Sequence, residues 1–562
     1  MTMARDTSEA IRAATNGQHD AHGAAMSSNS EKVARYLEVI QKLVTAWMKE
    51  GENDRTPVAK WSDSKSLREN VRLRVHEGDG VGDEALFEAM SEVLDNSVNP
   101  WTGRFLDKLY AAPQPLGVAS ETLLAAINAN AHVMSASPML CLAEECCASA
   151  FARLCGWDEA RSDGLTMPGG SSSNTLAVQT ALSTLFPFFH TDGVLGIGQE
   201  LANRGLQGRS AAACRPLIFT SEQSHYSLDK AAIACGLGLS SVVKVACDDR
   251  GRMDPKELEL LLSAAFSKEN TASSPRGFPF FVNATSGSTV MGSFDQLDEI
   301  AAVCRKQPHP VWLHVDASWG GPVLFSQSAR KLMSGIEAAD SMAINPHKLL
   351  NIPLQCSFAL FRNGNALDNN ALDAPYLFHG RDSTSKEQKD AERKLARREN
   401  PALMAYGCGR RGDALKMYLA WLSAGSVGFA RHVERGMSLA REIVDLIRTP
   451  AYASRLELGP ASASDEDDDG PAFLQVCFRP ALPQGQSFKE EQERSEILSK
   501  ATRHVYETLK VRKRFAVDFA PLPRGIGDFI RLVTHPSTTV ENLRDLVEQV
   551  AVIGEEYLSR EG

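Results

Sequence analysis

The stretch that most constrains this chain runs from Val311 to Ser357, VWLHVDASWGG and then ADSMAINPHKLLNIPLQCS. Val311 to Val315 is a short apolar run of the kind that forms a buried strand, and it delivers Asp316 at its end. Ala317, Ser318, Gly320 and Gly321 follow, and residues this small let a flat molecule approach the backbone closely. Further on, Asn345-Pro346-His347-Lys348 sets a lysine in a turn beside a proline that fixes the local backbone. A carboxylate at a strand end and a lysine on a nearby loop are what pyridoxal phosphate (PLP) chemistry needs. The lysine holds the cofactor as a Schiff base, and the aspartate keeps the pyridine nitrogen protonated so that the ring draws electrons from the substrate.

Each member also has a plainer reading. Lys348 alone reads as a solvated surface charge, and Asp316 as a helix cap. His314 and Asp316 share one strand face, as a metal pair would. No third ligand follows at metal-like spacing, so no metal is expected.

Length and composition set the bounds. The 562 residues, 43% hydrophobic and 23% charged, are ordinary for a globular protein and too many for a single core. A net charge of −10 and a pI near 5.8 argue against nucleic acid or an anionic membrane as main partner. No apolar run approaches the ~20 residues of a membrane span. The polar N-terminus, with Asp6 and Glu9, lacks a signal-peptide core, so a disordered tail is expected over residues 1–30. The 11 cysteines are scattered, which suits a reducing cytoplasm. Cys141, Cys146, Cys147 and Cys155 cluster in a helical-looking apolar segment without CxxC spacing, and core packing rather than zinc is expected there.

Ser28 and Glu31 form a capping-box pattern ahead of Val33, Tyr36, Leu37, Ile40, Leu43, Val44 and Trp47, which recur at helical spacing. A second helix is expected near Glu84 to Leu94. The segment 31–112 is too small to fold alone, so it is expected to pack on a larger body or a partner chain, and a homodimer follows. Residues 113–412 are expected to form the large PLP-binding domain. Within it, Pro168, Gly169 and Gly170 make a turn, and Ser171 to Asn174 open a helix. A glycine turn, hydroxyl groups and a helix N-terminus together form an anion site, and without GK[ST] it is not a nucleotide loop. Taken alone it reads as an ordinary serine-rich cap. Pro216 to Thr220 reads as a strand leading to His225, which either stacks on a flat ring or is a plain loop residue. Phe278 to Thr285 is another buried strand, ending in the turn Ser286 to Thr289. Strands alternating with helices predict an α/β fold with a mostly parallel sheet and ligands at the strands' carboxyl ends.

Residues 413–562 read as a smaller C-terminal α/β domain. It is entered by a helix from Asp413 to about Leu422. Strands at Phe473 to Phe478 and Ala516 to Phe519 follow, with helices around Glu490 to Leu509. A last helix, capped by Thr538 and Glu541, carries Leu543, Leu546, Val547, Val550 and Ile553 on one face. Ala461 to Gly470 is an acidic low-complexity loop, expected to be disordered.

PGGSSSN, TSEQSHYSLDKAA, NATSGSTVMGSFD, WLHVDASWGG, ADSMAINPHKLLNIPLQCS and CGRRGDALKMYLAW, in that order, resemble the group II PLP-dependent amino-acid decarboxylases. The likeness runs from about Trp101 to Val533, and PLQCS and CGRR place it nearer the glutamate/cysteine-sulfinate branch than the aromatic one. The resemblance implies a fold-type I PLP-dependent transferase-like dimer. It also implies that Lys348 forms the Schiff base, Asp316 pairs with the pyridinium and His225 stacks on the ring. Ser171, Ser172, Asn345 and His347 would bind phosphate, with Asn174 in the same cofactor-binding stretch. Thr289 would lie beside the ring's substituents, and Arg531 in GDFIRLV would hold the substrate's α-carboxylate, through two donors if the geometry allows.

The chain departs from the family between Phe378 and Cys408. Glutamate decarboxylases carry DVxYDTGD there, with a tyrosine that returns a proton to the substrate carbon. Here the loop is longer and highly charged, and Tyr406 at its base does not match by motif. That keeps open a decarboxylation coupled to oxidative deamination, and a catalytically silent regulatory relative. For the substrate, the branch motif FFNQL carries a glutamine that meets a distal acid group, and FLDKL here puts Lys108 at its position. A small acidic amino acid is expected: aspartate, cysteine sulfinate or glutamate. An aromatic or other neutral amino acid is the alternative, because Asp107 can neutralise Lys108.

Overall fold

The computed structural model describes residues 28–561 apart from 54–55, 62, 72, 202–214, 267–276, 373–394, 396, 463–472 and 484–490. The tail over 1–27, most of the acidic loop and much of the charged loop therefore lie outside the described residues.

One seven-stranded sheet carries the candidate site. Its strands are β1 (Asp163–Met167), β2 (Pro216–Ser221), β3 (Val242–Val245), β4 (Phe278–Thr285), β5 (Trp312–Asp316), β6 (Ser341–Ile344) and β7 (Ser357–Phe361). They lie in the order β1-β7-β6-β5-β4-β2-β3. Strands β2, β4, β5 and β6 are buried along their whole length, as strands covered by helices on both faces must be. All strands run parallel except β7, which is antiparallel to both β1 and β6. The mostly parallel α/β sheet expected from the sequence is therefore what forms. The exception has a physical cause. No helix lies between β6 and β7, and without a crossover a strand can return to its neighbour only in the opposite direction. That return loop holds Lys348.

A second sheet is fully antiparallel: β8 (Leu456–Leu458), β9 (Gln475–Pro480), β10 (Asp518–Leu522) and β11 (Gly527–Val533), in the order β10-β11-β9-β8. The helices Glu491–Arg512 and Val540–Glu561 cover it. The last helix buries Leu543, Leu546, Val547, Val550 and Ile553 as its spacing predicts. Its cap is Thr539 rather than Thr538: the Thr539 hydroxyl accepts the Asn542 N–H at 3.2 Å, while Thr538 is drawn into a turn with its N–H on the His535 carbonyl.

The helix expected to end near Leu422 instead belongs to Ala414–Arg448, which kinks at Gly425 (φ 63°, ψ 169°) and continues. A left-handed break of this kind is open to glycine at little cost, so the helical pattern resumes on a new axis. Met417, Ala420, Phe429 and Val433 join the large domain's core, whereas Leu439, Ile443, Val444 and Ile447 join the core of the small sheet.

The helix Asn29–Gly51 forms with the expected capping box. Its buried side is only part of the predicted stripe. Val39 and Leu43 meet Phe87 of the helix Asp83–Asp95, while Val33, Leu37 and Ile40 stay exposed because that single helix covers only one flank. The chain after it is stitched to the C-terminal domain. Leu106 donates its N–H to the Ala516 carbonyl and accepts that of Val533, and its side chain is fully buried. Those pairings carry Asp107 and Lys108 to the side of β11.

Candidate active site

Asp316 ends β5 in the middle of the sheet, where its carboxylate is held from two directions. Oδ1 accepts the Ser318 N–H at 3.1 Å, and Oδ2 accepts the Asn174 amide at 2.9 Å. Burial alone would raise its pKa. The Ser318 and Asn174 hydrogen bonds and the Lys348 charge outweigh burial and hold the carboxyl below the usual aspartate value. Asn174 is fixed in turn. Its Nδ2 also donates to Ser227 Oγ at 2.8 Å, so its Oδ1 faces His314 Nε2 at 3.0 Å. His314 Nδ1 meets Ser341 Oγ at 2.8 Å, and that hydroxyl accepts Trp312 Nε1–H at 2.8 Å. The chain of donors leaves the imidazole neutral with its proton on Nε2, and burial holds its pKa down to about 4. With both nitrogens engaged, His314 is no metal ligand.

Lys348 lies in the turn after β6. Its own N–H bonds to the Asn345 carbonyl at 2.9 Å, and the Asn351 N–H closes the turn onto the Lys348 carbonyl at 3.1 Å. From the long helix, His432 Nε2 reaches both Leu349 O and Asn351 Oδ1 at 2.9 Å, which clamps the turn from outside. Burial pushes the Lys348 amine below its ordinary value, with the Asp316 carboxylate acting in the opposite direction. A buried amine of lowered pKa is the form that adds to an aldehyde.

His225 stands between β2 and the helix Ser227–Ala234. Its Nδ1 accepts the Ser227 N–H at 3.2 Å, which fixes the neutral tautomer with the proton on Nε2. Burial lowers its pKa, and the charges of both Asp316 and Lys348 act on it, so the three groups converge. Beside them is the glycine turn. Gly169 takes φ 118°, and a Cβ on Gly170 would come within 2.5 Å of Ser318 Oγ and 2.7 Å of Asn345 Nδ2. Only a bare backbone fits there, so the helix Gly170–Leu185, whose first turn carries Ser171 and Ser172, begins with Gly170 against Ser318 and Asn345. Asn345 is itself oriented by a 2.6 Å bond from Ser357 Oγ to its Oδ1. His347 is buried, its Nδ1 against the Cys356 main chain, and burial takes its pKa to about 4.

A family model described as the pyridoxal-dependent decarboxylase conserved domain matches residues 77–454. The chain belongs to this family of decarboxylases. An L-aspartate decarboxylase of Metarhizium robertsii is 35% identical over 88% of this chain and 88% of its own. A cysteine sulfinic acid decarboxylase of Rattus norvegicus is 31% identical over 91% of this chain and 93% of its own. Among solved structures, that of mouse CSAD superposes with a TM-score of 0.78 at 29% identity, covering 94% of this chain and 99% of that one.

The residues of this decarboxylase fit PLP. A buried amine, an ionised aspartate, a neutral imidazole acted on by both and a bare-backbone helix start are the partners that an aldehyde, a pyridinium nitrogen, an aromatic ring and a phosphate require. Asn174, expected in the cofactor-binding stretch, turns its whole amide to Asp316, Ser227 and His314 and so lies behind the aspartate.

Arg531 and Lys108, expected to bind the substrate, come together beside Thr289. Arg531 on β11 donates through Nη2 to Asp107 O at 2.5 Å and pairs with Asp518 Oδ2 at 3.2 Å, and its Nη1 reaches Thr289 O at 3.4 Å. Lys108 Nζ is 2.8 Å from Asp107 Oδ2 and 4.0 Å from Asp518 Oδ2. Thr289 therefore contacts Arg531 through its main chain.

Three contributors escaped the sequence reading. Gln475 joins the two sheets: its Oε1 accepts Trp319 Nε1–H at 3.0 Å and its Nε2 donates to Ser288 O at 3.0 Å. Its signal was a lone amide in the apolar run FLQVCF. Asp518 and His432 gave no signal, because each works through partners far away in sequence. In the charged loop, Arg397 is buried and pairs with Asp368 at 2.6 Å and Asp163 at 3.4 Å, so this part of the segment is anchored rather than solvated. Tyr406 is half exposed. Cys141, Cys147 and Cys155 are buried as expected, while Cys146 is exposed.

Proposed function

We propose that this decarboxylase removes the α-carboxyl group of a small acidic L-amino acid, aspartate, cysteine sulfinate or glutamate, to give the amine and CO₂. One observation carries the substrate class: two cations, Arg531 and Lys108, stand together beside the Thr289 turn. The related L-aspartate decarboxylase and cysteine sulfinic acid decarboxylase support the same reading.

PLP, when bound, withdraws electrons from the substrate's α-carbon so that a bond to it can break. In this reading the rest falls to the chain. Lys348 presents the free amine. Asp316, kept ionised by Ser318 and Asn174, holds a proton on the facing ring nitrogen. His225 would lie against the ring and, being neutral, would add no competing charge. Ser171, Ser172, Asn345 and His347 receive the phosphate. Arg531 grips the α-carboxylate, and Lys108 meets the distal acid. By holding the α-carboxylate, Arg531 would fix which bond of the substrate's α-carbon is presented for cleavage.

The working form is a homodimer. Leu116, Leu123 and Ile127 on the helix Pro115–Ile127, together with Leu422 on the adjoining long helix, expose a row of apolar side chains, and so do Val33, Leu37 and Ile40. A cytoplasmic location is supported by the ten described cysteines, all of them free. No described helix is long and apolar enough to cross a membrane.

A neutral amino acid is the second reading, favoured by one fact: Lys108 already has Asp107 as a partner. A substrate panel on wild type and Lys108→Met separates the two. With an acidic substrate the mutant loses about tenfold in kcat/KM, the lower end for a charged hydrogen bond because the lysine is half exposed. A wild type that prefers tyrosine or tryptophan overturns the proposal.

A further inference from the structure

We infer that Asp518 is a specificity-determining residue, a resident carboxylate that ties Arg531 to Lys108 and competes with the substrate's distal acid for Lys108. The inference rests on the acidic-substrate reading above. Asp518 Oδ2 lies 3.2 Å from Arg531 Nη2 and 4.0 Å from Lys108 Nζ. The position is built in by the backbone, because Asp518 on β10 stands directly opposite Arg531 on β11. Asp107 supplies the second acid, 2.8 Å from Lys108. Two cations thus meet two carboxylates, and the cluster is neutral.

Exposure separates the two acids. The Asp107 side chain is 16% exposed and belongs to the wall, whereas Asp518 is 37% and Lys108 45% exposed. A distal carboxylate or sulfinate approaching Lys108 is repelled by Asp518 and must displace it, exchanging one ion pair for another at small net gain. A neutral side chain makes no such exchange. Arg531 does not depend on Asp518 for its place, since it also donates to Asp107 O and Thr289 O. Neutralising Asp518 therefore leaves the guanidinium anchored and adds one unit of positive charge to the pocket.

The test compares PLP-loaded wild type, Asp518→Asn and Asp518→Glu on aspartate, cysteine sulfinate, glutamate and one neutral amino acid. In Asp518→Asn the KM for acidic substrates falls roughly three- to tenfold with kcat held, the scale of one partly screened charge. The KM for the neutral substrate, which meets the cluster only through its α-carboxylate on Arg531, falls by a smaller factor, and Asp518→Glu, which keeps the charge, keeps the wild-type KM. Succinate, an acid that cannot turn over, inhibits Asp518→Asn more tightly by the same factor. Asp518→Ser, measured in the same way, replaces the asparagine variant if that protein does not fold. Acidic preference in the wild type with an unchanged or raised KM in the variant overturns this inference alone. Neutral preference in the wild type overturns the acidic-substrate reading and this inference with it.

Discussion

The two ends of the site are built on opposite principles. Around Asp316 every polar atom of the chain Asp316–Asn174–His314–Ser341–Trp312 has a partner, all five residues are buried, and one neutral imidazole stands behind one carboxylate. Around Lys108 the groups are charged and share partners, and Lys108 and Asp518 are partly exposed: Asp518 pairs with both cations, Asp107 with Lys108 by side chain and with Arg531 by main chain. A buried, saturated network has one arrangement and resists change. A half-exposed cluster of exchangeable ion pairs tolerates substitution in small steps, because water and salt screen each member. The first suits a cofactor that stays, the second a substrate that comes and goes.

The largest effect is expected at the fixed end. Lys348→Ala abolishes decarboxylation and removes the visible absorbance of PLP-loaded protein; a yellow, active variant would break the assignment. Asn174→Ala comes next, although that residue is placed behind the carboxylate and not against the ring. It strips a partner from Asp316, His314 and Ser227 at once, which costs about 1–3 kcal/mol of stability for the unsatisfied buried groups. It also loosens the aspartate, so that kcat falls by roughly 10–100-fold, the weight of a supporting partner. Thermal unfolding and steady-state kinetics on the same samples check both. A variant as stable and as active as wild type would show that the network behind Asp316 is idle. Lys108→Met, with its tenfold loss confined to acidic substrates, is the graded counterpart at the open end.

This division also decided what the sequence could reveal. Residues that act through local chemistry were legible: Asp316 closes an apolar strand, Lys348 follows a proline in a turn, and Gly169-Gly170 opens a helix. The parallel sheet was legible from its apolar runs for the same reason. What stayed hidden depends on partners distant in the chain. β7 is antiparallel only because of the link that precedes it. Gln475 matters only once β9 lies beside the Ser288 turn, and Asp518 only once β10 pairs with β11. His314 looked like half of a metal pair, since strand spacing shows that two side chains share a face but not that Asn174 and Ser341 occupy both ring nitrogens. The helix after Asp413 ran on because a glycine that breaks one helix can also begin the next.

The smallest effect sharpens the comparison most. Burial holds the amine of Lys348 below its ordinary value, and the charge of Asp316 pulls it back up. Addition to an aldehyde needs the free amine, so the rate at which protein stripped of PLP takes the cofactor up again rises with pH. It levels off below the ordinary lysine value of about 10.4. Asp316→Asn removes the anion that stabilises the ammonium form, and the midpoint moves to lower pH. Asp518→Asn also removes an anion, but one whose cationic partners are Arg531 and Lys108, so the midpoint stays in place. Stopped-flow absorbance of PLP uptake across pH compares the two variants directly. If the Asp518 variant shifts as far as the Asp316 variant, the two ends form one electrostatic unit, and the separation between a fixed cofactor end and an exchangeable substrate end is wrong.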